Sequence, residues 1–354
     1  MLHFSTNCRH SIRAILIVIS VFISLDCVFA QWHPPSDTVE IVFAGDVMLA
    51  RRVGAELDRR NAEYPFAKIR DILLDSDLAV VNLETTVGTQ TKCVAKKYVF
   101  QAKPSALAGL VWAGVDAVSL ANNHIFDYFS AGVIETADSV RNRGIVPLGA
   151  GKDSSEFFRP HSFWINGHWF AILGLNDTRS GFWGMDKPGC APTWTPLGES
   201  TAVAEISQLS AIGAIVIVFE HWGREYEQFP NTRQRTLAHK FIRAGAKIVV
   251  GSHPHRIQGI EFYRDGVIAY SLGNLIFDQR DSLGNIGAVL KLTFIDGNID
   301  NVSIIPTETI THFAQPHIAK SDSLLQYFRK ISKPLGTTVK IKDGNLNFAP
   351  IESK

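Results

Sequence analysis

Cysteine is scarce: the chain has four in 354 residues, and only Cys93 and Cys190 lie beyond the first thirty. That excludes a small scaffold held by many disulfides, and two cysteines so far apart make no zinc motif. In an oxidising compartment one Cys93–Cys190 disulfide and two free thiols are both open. An excess of one charge is lacking too, with 35 Lys and Arg against 34 Asp and Glu. A broad basic surface for nucleic acid therefore has no support, and an anionic ligand must be bound locally. With 46% hydrophobic and 19% charged residues the chain is neither disordered nor of low complexity. No internal repeat is evident.

Residues 1–30 read as an export signal. Arg9, His10 and Arg13 precede an apolar run at 14–25, and Val28 and Ala30 stand where a signal peptidase reads small residues. The expected mature start is Gln31. Two other readings stay open. As an uncleaved anchor the run falls short of the roughly 20 apolar residues a span needs. As a lipid attachment at Cys27, the site carries Asp26 where a small residue is expected. All three place the protein outside the cytoplasm, periplasmic or extracytoplasmic, with the N-terminal segment as a membrane anchor in the second.

From residue 39 short apolar runs alternate with helical patterns, the signature of a largely parallel sheet covered by helices. The runs lie at 39–44, 78–81, 117–120, 145–148, 215–219 and 247–250, with helices expected near 49–60, 65–75, 104–114, 130–143, 200–212 and 231–244. Antiparallel pairs are expected around Asn166-Gly167, Asp265-Gly266 and Asp296-Gly297. The fold class is thus α/β with mixed sheets. Residues 177–199, with Trp183 and Trp194, read as a long loop of the kind that serves a site or lid. The main domain is expected over 37–311, and 312–354 as a C-terminal helix and irregular tail.

The chemistry lies at the ends of the apolar runs. Gly45-Asp46, Asn82-Leu83-Glu84, Asn122-Asn123-His124, Glu220-His221, His253-Pro254-His255 and Gly273-Asn274 each stand at the end of one. Parallel strands bring such residues to one edge, where ligands of open α/β sheets bind. Carboxylates, imidazoles and an amide, without a thiolate, suit divalent Zn, Mn or Fe. The set exceeds one tetrahedral site and fits two ions sharing a carboxylate, an arrangement that activates water for hydrolysis. Alone, any one of these residues is more often a helix cap or a loop contact; their coincidence is the signal. His253 and His255, two apart on extended backbone, are expected to point the same way, or else to form only a rigid turn.

The stretches FAGDVMLAR, VNLETTV, SLANNHIFDY, FEHWGREY, GAKIVVGSHPHRIQGIE and IAYSLGNLIFD resemble the bacterial poly-gamma-glutamate capsule synthesis proteins of the CapA type. That family's fold is similar to calcineurin-like metallophosphoesterases, and the likeness covers about residues 39–280. It implies a layered α/β/β/α sandwich, two mixed sheets flanked by helices. It also implies that Asp46 and His255 hold one ion, that Asn123, His221 and His253 hold the other, and that Glu84 joins them. His124 would be the general acid, and Arg51 would help hold an anionic substrate. Where metallophosphoesterases usually read Asp-x-His, this chain has Met48, a poor ligand for a hard ion, so one or two ions are expected and one position is weaker. The function implied is capsule or cell-envelope polymer synthesis through a hydrolase-like site, beside membrane-bound capsule synthesis components. The rivals are an exported metal-dependent phosphoesterase, acting on a small phosphate-containing substrate, and a metal-independent scaffold that binds an anionic polymer.

Overall fold

A computed structural model describes residues 38–182, 184–279, 281–309, 313–342 and 345–351. The expected export segment, Trp183 and His312 lie outside them. No helix among the described residues is long and apolar enough to cross a membrane.

The first sheet is founded on β1 (Thr38–Val47), β2 (Leu78–Leu83), β3 (Ala117–Ser119) and β4 (Val146–Leu148), parallel neighbours in that order. Side chains alternate across β1: Val39, Ile41 and Phe43 enter the core between the two sheets, while Val42 and Ala44 face the helices outside. The crossovers include α1 (Arg51–Arg59), the short helix Leu107–Trp112 and α2 (Phe129–Arg141), which pack on that outer face.

The second sheet starts as a hairpin of β5 (His161–Ile165) and β6 (His168–Asn176), turned by Asn166 and Gly167 at φ 47° and 81°. Beside β6 run β7 (Ile215–His221) and β8 (Ala246–Ser252), parallel, followed by the antiparallel pair β9 (Ile257–Tyr263) and β10 (Gly266–Leu272). Its outer face is covered by α3 (Pro196–Ala211) and α4 (Thr232–Ala244). The chain returns to the first sheet through β11 (Asn274–Ile276), β12 (Ile286–Ile295) and β13 (Asn298–Glu308). The layers are therefore α/β/β/α, with ten strands in one sheet and six in the other among the described residues.

Two expectations need correcting. After α5 (Asp322–Ser332) the tail is not irregular: β14 (Thr337–Lys342) and β15 (Asn345–Pro350) pair, and β15 joins β13. Val339, Leu346 and Phe348 carry the hairpin into the core between the sheets, with Phe328 of α5. The loop 177–199 is not a lid. It pairs Gly189 and Cys190 with Gly151 and Ala150, and none of its described residues lines the cavity at the site described below. Cys190 is buried and Cys93 exposed, both free.

Candidate metal centre

Strand register sets the site. Asp46 pairs with Asn82 on β2 and with Asn274 on β11, so three polar side chains meet at the carboxyl end of β1. Gly45 permits this, because a Cβ there would lie 2.0 Å from the Gly273 carbonyl oxygen. From the second sheet, His221 pairs with Ser252 at the ends of β7 and β8. Alternation sends Glu220 to the opposite face, where its carboxylate accepts a 2.7 Å hydrogen bond from the Thr193 hydroxyl.

His253 and His255 do not lie on extended backbone. Both adopt left-handed φ, 96° and 52°, a conformation that costs a non-glycine residue about 1–3 kcal/mol and is found where function needs it. The Pro254 carbonyl accepts from Tyr226 N at 2.7 Å, and the His255 carbonyl accepts from Arg256 Nη1 at 2.8 Å. The turn separates the two rings, with centroids 6.2 Å apart, and gives each to a different group of donors.

Those groups are Glu84, His221 and His253 on one side and Asp46, Glu84 and His255 on the other, each with ligating atoms within 4.8 Å of one another. Glu84 is common to both. Asn123, half-buried, completes the first, with Oδ1 2.8 Å from His221 Nε2. The second imidazole nitrogens are fixed from behind: His221 Nδ1 meets Ser252 Oγ at 2.8 Å, and His255 Nδ1 meets Asn274 Oδ1 at 2.9 Å. Such outer contacts orient metal-ligating histidines. Asn82 Nδ2 donates to Asp46 Oδ1 at 2.8 Å and to Glu84 Oε2 at 3.3 Å, holding two like charges together.

The electrostatics are those of a cation site. Burial and the facing Asp46 hold the Glu84 carboxyl well above the usual carboxylate range. Burial pushes His253 down to about 3 and His221 well below its usual value, leaving neutral imidazoles, the form that ligates metals. Burial opposes protonation of His255 as well, but Glu84 and Asp46 push it up to about 9. Asp46 Oδ2, Glu84 Oε1 and His253 Nδ1 are buried without a hydrogen-bond partner, the two carboxylate oxygens facing the His255 ring nitrogens at 3.2 and 3.6 Å. Orphaned buried acceptors of this kind demand a counterpart, and a divalent cation supplies one. The residues present therefore fit divalent metal, in two donor groups that share Glu84.

His124 stands beside these groups with its Nε2 3.9 Å from Glu84 Oε1. Its Nδ1 is taken by Asp127 Oδ2 at 2.8 Å, and its ring stacks on Phe100 at 3.9 Å between centroids. Burial lowers its pKa, although Asp127 opposes this. Asp127 also pairs with Lys96, whose Nζ reaches the Asn123 carbonyl at 2.9 Å. Asn122 is structural: it accepts from His124 N and donates to Asn82 Oδ1 and the Leu83 carbonyl. Met48 turns into the helix-side core. Arg51 opens the cavity, about 640 Å³, that it lines with His124, His255 and Tyr226. Its Nε lies 3.3 Å from Asp278 Oδ2, and its guanidinium rests over Tyr98 and Phe100.

Every expected site residue thus comes to one place. Asn82, Asp127, Ser252 and Asn274 were not assigned from the sequence. Asn82 lies two before Glu84 and so shares its strand face; Asp127 lies three after His124.

Residues 40–279 match the bacterial capsule synthesis protein family PGA_cap. The PGA biosynthesis protein CapA of Bacillus subtilis (strain 168) is 31% identical over 317 residues, covering 88% of this chain and 82% of its own. The capsule biosynthesis protein CapA of Bacillus anthracis is 28% identical over 305 residues, 83% of this chain and 73% of its own. A solved structure, a hypothetical protein from Thermus thermophilus, superposes with a TM-score of 0.49 at 16% identity, over 76% of this chain and 99% of that one. The chain belongs to the bacterial capsule synthesis protein family.

Proposed function

We propose that this protein acts outside the cytoplasm in the assembly of an anionic polymer of the poly-gamma-glutamate type, through a metal-dependent, hydrolase-like centre. The observation that carries the reading is the pair of buried donor groups sharing Glu84. Family membership and the names of the two Bacillus relatives support the polymer. Glu84, Asn123, His221 and His253 would hold one divalent Mn, Zn or Fe ion, and Asp46, Glu84 and His255 a second. Ions so bound supply Lewis acidity and make water a nucleophile near neutral pH.

The chain's own residues do the rest. His124 holds or releases a proton at Nε2, because Asp127 occupies Nδ1 and stabilises the imidazolium. Phe100 covers the ring and keeps water from it. Arg51 offers its terminal nitrogens to a carboxylate or phosphate entering the cavity. The same His124–Asp127 pair suits a small phosphate ester, the second reading. Membrane-bound capsule synthesis components are the expected partners.

Restoration of capsule in a strain lacking its own CapA, with turnover of a generic phosphodiester measured in parallel, separates these readings. Wild type is expected to restore polymer and His253→Ala to fail. Restoration by His253→Ala would mean a metal-free scaffold. Fast phosphodiester turnover without restoration would mean a phosphoesterase.

A further inference from the structure

The end of the domain opposite the metal centre has an unusual surface. Trp164 and Ile212 are the two most exposed large apolar side chains described, at 71% and 67%, and Ile295 is 42% exposed. All three lie where the parallel strands begin. Trp164 precedes the β5–β6 turn, Ile212 precedes β7, and Ile295 ends β12. The Asp296-Gly297 turn after Ile295 packs on this end, since a Cβ at Gly297 would lie 3.1 Å from His168 Nδ1 and 3.4 Å from Ile215 Cδ1. Trp164 is held rigid by stacking on Trp169, centroids 5.8 Å apart, while Trp169 Nε1 donates to Ser162 Oγ at 2.9 Å.

The chain enters the domain here. Thr38, the first described residue, pairs with Ile295, and its carbonyl accepts from Asn166 Nδ2 at 2.9 Å on the hairpin tip next to Trp164. Residues 1–37 precede it, and their apolar run ends at Leu25. The 13 residues from Leu25 to Thr38 reach at most about 45 Å when fully extended. A retained run would hold the domain close to a bilayer by this end.

We propose that this end is a membrane-contact surface, with Trp164 seated at the headgroup level and Ile212 and Ile295 beside it. Indole suits that depth because its ring is apolar and its N–H can still find a polar partner. Asp296 and Asp77 stand nearby and Glu40 is paired with Lys291 at 2.7 Å, so this end has no excess of basic residues to attract anionic lipid and the proposed bilayer is zwitterionic. The metal centre, eight residues further along β1, is about 26 Å from this end and opens away from the lipid. The proposal does not depend on the chemistry at that centre.

Full-length protein reconstituted in phosphatidylcholine vesicles with brominated acyl chains tests it by tryptophan fluorescence. Of the seven tryptophans, Trp32 in the preceding segment contributes equally to wild type and to Trp164→Phe, so their difference reports Trp164. A lipid-dependent loss of emission in wild type that is much smaller in Trp164→Phe is expected. Equal quenching in the two proteins would overturn the proposal. So would cross-linking between two copies through position 164, which would make this end a contact between chains.

Discussion

At the scale of single residues, His124 and His253 are both buried imidazoles at strand ends, and their neighbours separate their roles. His253 Nδ1 has no hydrogen-bond partner and its ring belongs to a donor group, whereas His124 Nδ1 is already taken by Asp127. His124→Ala is therefore expected to keep its metal and to lose activity by about 10²- to 10⁴-fold, while His253→Ala loses metal and activity together. Metal content measured beside polymer formation checks this, and loss of metal in His124→Ala would make that residue a ligand. Residue chemistry also divides the thiols. Burial pushes the Cys190 thiol up to about 12, so almost no thiolate forms at neutral pH. Of the two cysteines beyond residue 30, iodoacetamide on the native protein at pH 8 should label Cys93, and Cys190 only after unfolding; mass spectrometry reads the difference.

Elements show which local signals carry structure. Helix α4 starts at a capping box in which Asn231 accepts from Gln234 N and Gln234 returns a bond to Asn231 N. Asn231→Ala should cost about 1 kcal/mol, read as a lower midpoint in urea with an unchanged slope. The start of this helix was legible, as were the parallel strands and the Asn-Gly and Asp-Gly turns, because alternation and turn residues are local properties. The C-terminal hairpin departs from the expected irregular tail, although apolar residues at 339, 341, 346 and 348 alternate along its strands. A rigid turn at His253 and His255 was one of two open readings, but its left-handed backbone was not legible. Left-handed φ at histidine runs against local preference and is imposed by contacts with Tyr226 and Asn274, which arrive from elsewhere in the chain.

On the scale of the whole molecule, the site belongs to the seam between two sheets. β1, β2 and the segment after β3 bring Asp46, Glu84 and Asn123, while β7 and the turn after β8 bring His221, His253 and His255. Periodicity cannot assign strands to sheets, since buried parallel strands of either sheet read as similar apolar runs. The convergence of strand ends was still legible, because it needs only that the strands run parallel. What it left open were the roles of Asn82, Ser252 and Asn274, which depend on register across strands. Glu84 joins the two halves, and the account turns on it. Gln is a near match to Glu84 in shape and lacks the carboxylate charge that both donor groups share. Elemental analysis of wild type and Glu84→Gln, purified without chelators and checked for equal folding by circular dichroism, is the most direct test. The account predicts one to two divalent transition ions per wild-type chain and almost none in Glu84→Gln. Metal-free wild type that takes up neither Mn nor Zn, or Glu84→Gln with a full complement, would contradict it.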